Sequence, residues 1–179
     1  MSSLKINGSI AYLYKVFTAS LDKIGVQYVA GAIDENNLVI GIPYEVLKEE
    51  FTKDVDMKAW KTVIDGKNLV MKSSKELLDK PIEEVNKTIL SKLRKYGVEA
   101  GAYITSEDEP IIIVDLESVV FQILQKTLSE TKARAHDHMR TIRVAFGTLG
   151  KFSYILFYRS GRKTGNDKIE KLKNEVLKV

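Results

Sequence analysis

Shifting the chain by 72 positions lays residues 10–51 on residues 82–123 without a gap, and 10 of those 42 pairs are identical. The identities include Ile10/Ile82, Leu21/Leu93, Gly25/Gly97, Val26/Val98, Ala30/Ala102, Ile40/Ile112 and Glu45/Glu117. Apolar character persists at Leu13/Val85, Phe17/Ile89, Ile42/Val114 and Phe51/Ile123. The likeness resumes at Met57-Lys58 against Met139-Arg140, where the displacement has grown from 72 to 82. Self-similarity of this kind reads as a tandem duplication, with residues 1–80 as the first repeat and 81–179 as the second. Each is small for an independent core, which predicts that the two pack as one pseudo-twofold body.

Within each repeat the pattern is helix, hairpin, helix, hairpin. Apolar residues at 10, 13, 17, 21 and 24 recur every three or four positions, the stripe of an amphipathic helix. Gly25 follows where a left-handed cap is wanted, as Gly97 does after the matching helix 82–96, which Pro81 precedes. Strands 26–33 and 38–42 flank the turn-rich Asp34-Glu35-Asn36-Asn37, and 98–105 and 110–114 flank residues 106–109. Pro43 opens a helix to residue 54, and Asp115 caps a longer one to residue 132. Strands 57–64 and 67–73 surround Asp65-Gly66; strands 139–146 and 151–159 surround Gly147-Thr148-Leu149-Gly150. A terminal helix is expected over 166–178. The fold class is α+β, an antiparallel sheet with packed helices plus a C-terminal helix.

This element order, with Ala30-Gly31-Ala32-Ile33-Asp34 followed by Leu38-Val39-Ile40, resembles roadblock/longin-type regulatory domains in topology. The resemblance implies a regulatory or assembly module acting through protein–protein contacts, by analogy of fold alone.

Charge narrows the field further. Residues 1–129 hold 16 Lys/Arg against 19 Asp/Glu, whereas residues 130–179 hold 12 against 5. A basic end on a near-neutral body is an electrostatic footprint of nucleic-acid or phosphate binding. Abundant Lys and Glu with no cysteine also suit a protein from a hot environment, where such a surface is simply solvated. The absence of cysteine excludes disulfides and thiolate chemistry. No apolar run is long enough for a bilayer span, and the opening residues lack a signal-peptide layout, so a cytoplasmic protein without a membrane partner is expected.

Three segments are candidate sites. The second repeat's extra stretch carries both histidines, as His136-Asp137-His138. Imidazoles ligate metals and move protons near neutrality, but on a helix residues two apart point away from each other, so His136 and His138 are weak metal candidates. In the last hairpin, alternation puts Ile142, Val144, Phe146, Ile155 and Phe157 on one face. It puts Arg143, Phe152, Tyr154 and Tyr158 on the other, where rings beside a guanidinium suit the stacking of unpaired bases. Arg140, Arg159, Arg162 and Lys163 extend the positive surface. If a helix covers this face, the same aromatics are core instead. The third segment, Ser160-Gly161-Arg162-Lys163-Thr164-Gly165-Asn166, leads into the terminal helix, where backbone N–H groups attract anions. Its spacing is not a Walker loop, and no nucleophile elbow, zinc-protease motif or dinucleotide fingerprint is present. The acidic 106–109 and Glu83-Glu84 read as solvated.

The leading expectation is a non-catalytic protein that binds single-stranded RNA or DNA through the basic second repeat, with no cofactor. The alternatives are an assembly module with a protein partner or a second copy, and an enzyme using the two histidines.

Overall fold

The structure is a computed structural model that describes residues 5–55, 58–73, 82–98, 102–105 and 110–176. Met57, Pro81 and the expected turn at 106–109 lie outside these. The described elements are α1 (Gly8–Ile24), β1 (Val29–Asp34), β2 (Asn37–Pro43), α2 (Tyr44–Thr52), β3 (Trp60–Asp65), β4 (Asn68–Ser73), α3 (Ile82–Lys95), β5 (Ala102–Thr105), β6 (Ile111–Asp115), α4 (Leu116–Arg134), β7 (Ile142–Leu149), β8 (Phe152–Arg159) and α5 (Asn166–Val176). The mixed α+β class, the antiparallel hairpins and the C-terminal helix are as expected.

The strands form two four-stranded antiparallel sheets, ordered β1-β2-β8-β7 and β3-β4-β6-β5. Each sheet joins one hairpin from the front of the chain to one from the back. The compact units follow this pairing: Met1–Pro43 with Leu124–Val179 form one, and Tyr44–Ile123 the other. The chain therefore divides into these units after Pro43 and within α4.

Local chemistry explains where the helices stop. The Asn7 carboxamide oxygen accepts from the N–H groups of Ser9 (2.9 Å) and Ile10 (3.2 Å), capping α1. At the other end Gly25 adopts φ 74° and the Val26 N–H reaches back to the Leu21 carbonyl at 3.2 Å. Gly97 adopts φ 79° and the Val98 N–H reaches the Leu93 carbonyl at 2.9 Å, the same bond 72 residues on. Asp115 caps α4, accepting from the Ser118 N–H at 3.3 Å and the Ser118 hydroxyl at 3.0 Å.

Pairing across the sheets moves the second match. Pro43 stands opposite Phe152, and Asp115, its equivalent at a displacement of 72, stands opposite Asn68. Asn68 and Phe152 thus correspond at a displacement of 84, as do the turn residues Gly66 and Gly150, rather than at the 82 of the sequence match. A short 3₁₀ turn, His136–Met139, occupies the start of the strand expected at 139, and β7 begins at Ile142.

In the first unit, residues 152–157 of β8 are buried on both faces. On one side α1 packs against β8, with the Phe17 ring edge-on to Phe157 at 5.4 Å. On the other, α5 lowers Ile169 into a cluster of Val39, Phe152, Tyr154 and Leu156. In the second unit, α2 packs against β3 and α3 against β5. Trp60, Leu69, Met71, Ile112 and Val114 form its core face. Lys92 of α3 is buried; its ammonium donates to the Glu50 carbonyl in the last turn of α2 and lies 3.2 Å from the Asp54 carboxylate. It supplies the positive charge that the C-terminus of α2 lacks in its own sequence.

Candidate functional site

The pairing register gathers the predicted cations at one end of the β7–β8 hairpin. Ile142 pairs with Arg159 and Arg143 with Tyr158, while the Ser160 N–H donates to the Thr141 carbonyl at 2.9 Å. The Arg143 guanidinium donates to the Arg140 carbonyl at 3.2 Å, holding the start of β7. Across the strand, the Arg162 N–H donates to the Arg159 carbonyl at 2.9 Å and closes the turn after β8. Arg140, Arg143, Arg159, Arg162 and Lys163 are all exposed. Arg140 lies 3.9 Å from Asp137, an exposed pair worth little against a phosphate.

What fixes the turn is a side chain that sequence reading assigned to a loop. Asn37, 1% exposed, opens β2 and pairs with Tyr158. Its amide donates to the Asp34 carboxylate at 2.9 Å and to the Arg162 carbonyl at 2.8 Å, and its oxygen accepts from the Thr164 N–H at 3.0 Å. A buried carboxamide needs such partners, and here they lock residues 162–164 in place. Lys163 consequently sits over the Tyr158 ring at 5.8 Å.

The aromatic half of the expected site is not available to a ligand. Alternation placed Phe152, Tyr154, Tyr158 and Arg143 on one face, but α5 roofs that face. Phe152 is 2% and Tyr154 9% exposed, and burial raises the Tyr154 phenol above its ordinary pKa. Both rings lie flat across glycines: a Cβ on Gly147 would stand 2.3 Å from the Tyr154 oxygen, and one on Gly41 2.5 Å from the Phe152 ring. Only Tyr158, at the basic end, is partly open. Arg143, Tyr154 and Tyr158 are therefore not exposed together, and Phe152 and Tyr154 offer no face to a stacking base.

The histidines are separated. His138 stacks on Tyr12 at 4.3 Å and its Nδ1 lies 3.2 Å from the Ser9 hydroxyl, tying the 3₁₀ turn to α1, while His136 is exposed. Among the described residues no group of three or more His, Asp or Glu is placed to hold a metal ion. No described helix is long and apolar enough to cross a membrane.

The chain is 42% identical over 178 residues to uncharacterized protein 34 of Sulfolobus islandicus filamentous virus (isolate Iceland/Hveragerdi), covering 99% of each. It belongs to the family of that viral protein. The match to protein 34 takes in both sheets, the 3₁₀ turn and the basic end of the last hairpin. No protein-family model matches the chain, and no solved structure matches it.

Proposed function

We propose that this protein is a non-catalytic nucleic-acid binder that grips the phosphate backbone with the basic end of its last hairpin. The observation that carries the reading is that Arg140, Arg143, Arg159, Arg162 and Lys163, all exposed, stand at one end of the last hairpin, where buried Asn37 pins the turn that holds Arg162 and Lys163. Arginines carried on a turn whose backbone is already fixed contact phosphates without losing much loop freedom on binding. With Phe152 and Tyr154 beneath α5, affinity comes from charge, and duplexes serve as well as single strands.

Fluorescence anisotropy with labelled duplex and single-stranded oligonucleotides of one sequence tests this. Binding is expected at low ionic strength, with log K falling linearly against log salt at a slope no steeper than about −4.5, that is about −0.9 for each of the five cations. Duplex affinity is expected to equal or exceed single-strand affinity. Absent or salt-independent binding overturns the reading.

A further inference from the structure

The second unit's sheet alternates strictly: Lys61, Val63, Asp65, Asn68, Val70, Lys72, Ile111, Ile113 and Asp115 are open or half-open, whereas their neighbours point into the core or toward it. The pairing register orders this outer face in three rows. Lys61, Lys72 and Ile111 stand side by side, then Val63, Val70 and Ile113, then Asp65, Asn68 and Asp115. The middle row is apolar across three strands, and Val63 is 54% exposed. At the position of the other sheet that matches Val70, Tyr154 is roofed by α5.

Charge selects what covers this face. Lys61 and Lys72 are directly opposite each other, a repulsive cross-strand pair, while Asp65 and Asp115 sit two rows away along the strands. The face is thus basic at one end, apolar in the middle and acidic at the other, and complementary to itself when reversed. We propose that a second copy of this chain docks here, sheet on sheet, about a twofold axis running across the strands. That axis sets Lys61 of one copy over Asp65 of the other, Lys72 over Asn68 with Asp115 on the next strand, and the valine rows on each other. An axis along the strands sets lysine on lysine and is excluded by the same charges. With strands about 4.8 Å apart and rows about 6.8 Å apart, the face is smaller than the roughly 800 Å² per partner of a stable complex, so the dimer is weak and concentration-dependent.

Sedimentation equilibrium of the full chain, from micromolar to millimolar concentration, tests the proposal. A monomer–dimer equilibrium is expected, weakened roughly tenfold or more by Val63→Glu, which buries an unpaired charge at the centre. Val63 is open in the monomer, so a thermal melt of Val63→Glu is expected to match wild type. The double variant Lys61→Glu/Lys72→Glu and the single variant Asp65→Lys each dimerise less, and an equimolar mixture of the two recovers association. A wild type that stays monomeric throughout, or a dimer indifferent to Val63→Glu, overturns the proposal. Failure of the mixture to recover overturns the antiparallel arrangement.

Discussion

The Asn37 side chain donates to the Arg162 carbonyl at 2.8 Å, so a residue that opens the second strand of the chain fixes the turn that follows the last strand. Removing it leaves the Arg162 carbonyl and the Thr164 N–H without their partner. Asn37→Ala is expected to cost about 1–3 kcal/mol in urea denaturation. It also loosens residues 162–164, read as faster amide exchange there, and lowers oligonucleotide affinity without changing the number of phosphates engaged.

Arginines that meet phosphates leave a signature in salt. Arg159→Ala and Arg162→Ala are each expected to weaken oligonucleotide binding and to flatten the log K against log salt slope by about 0.9. Lys48→Ala, on α2, is expected to leave both unchanged. An equal loss of affinity at every salt concentration contradicts an electrostatic role for either arginine.

Gly147 exists in this sheet because Tyr154 lies across it. Gly147→Ala drives a methyl group into the ring and is expected to destabilise by about 1–3 kcal/mol. In a double-mutant cycle with Tyr154→Ala, the two losses are expected to be clearly less than additive, since removal of the ring vacates the space.

Alkaline stability reports on Tyr96. Burial, with the Glu50 carboxylate adding to it, pushes its phenol from 10.0 up to about 12. Burial alone would raise Glu50 as well, but Lys53 and Lys95 outweigh it and hold that carboxylate below its ordinary value. The folded chain therefore keeps the Tyr96 proton at a pH where the unfolded chain has released it. Stability is complete below about pH 10 and falls as pH rises from about 10 to about 12. Urea midpoints across that range are expected to fall less steeply in Tyr96→Phe. A residual slope remains, because Tyr14 and Tyr154 are also raised by burial.

Elements whose signals are local were legible from sequence. The caps at Gly25 and Gly97, the Asp115 cap and the Asp65-Gly66 turn each act within a few residues, and each is found where the side chains ask for it. Which hairpin joins which was not legible, because β2–β8 and β4–β6 pairing depends on residues far apart in the chain. Nor was the displacement of 84 in the second match. A slip of two residues returns every side chain to the same face, so hydrophobic alternation fits 82 and 84 equally well.

The candidate site was half legible for a similar reason. Alternation correctly sorted Arg143, Phe152, Tyr154 and Tyr158 onto one face, and the charge run marked Arg159, Arg162 and Lys163. Whether that face is open depends on where α5 lies, which no periodicity within the hairpin encodes. The usable signal was Ile169 on an otherwise polar first turn of the terminal helix. Asn37 escaped notice because Asp34-Glu35-Asn36-Asn37 reads as a turn, although Asn37 itself directly precedes the apolar Leu38-Val39-Ile40. The histidines drew attention as a pair, whereas in the structure only His138 has a partner in α1.

The strand order also sets a timetable for the nascent chain. Lys72 and Ile111 are separated by few residues, so all four strands of the β3-β4-β6-β5 sheet are made before α4. Asn37 has to wait for Tyr158, and until then the β1–β2 hairpin stands without the inner neighbour that buries it. Translation is almost over before that vigil ends, and a chain cut short of residue 152 leaves one edge of β2 without its partner strand.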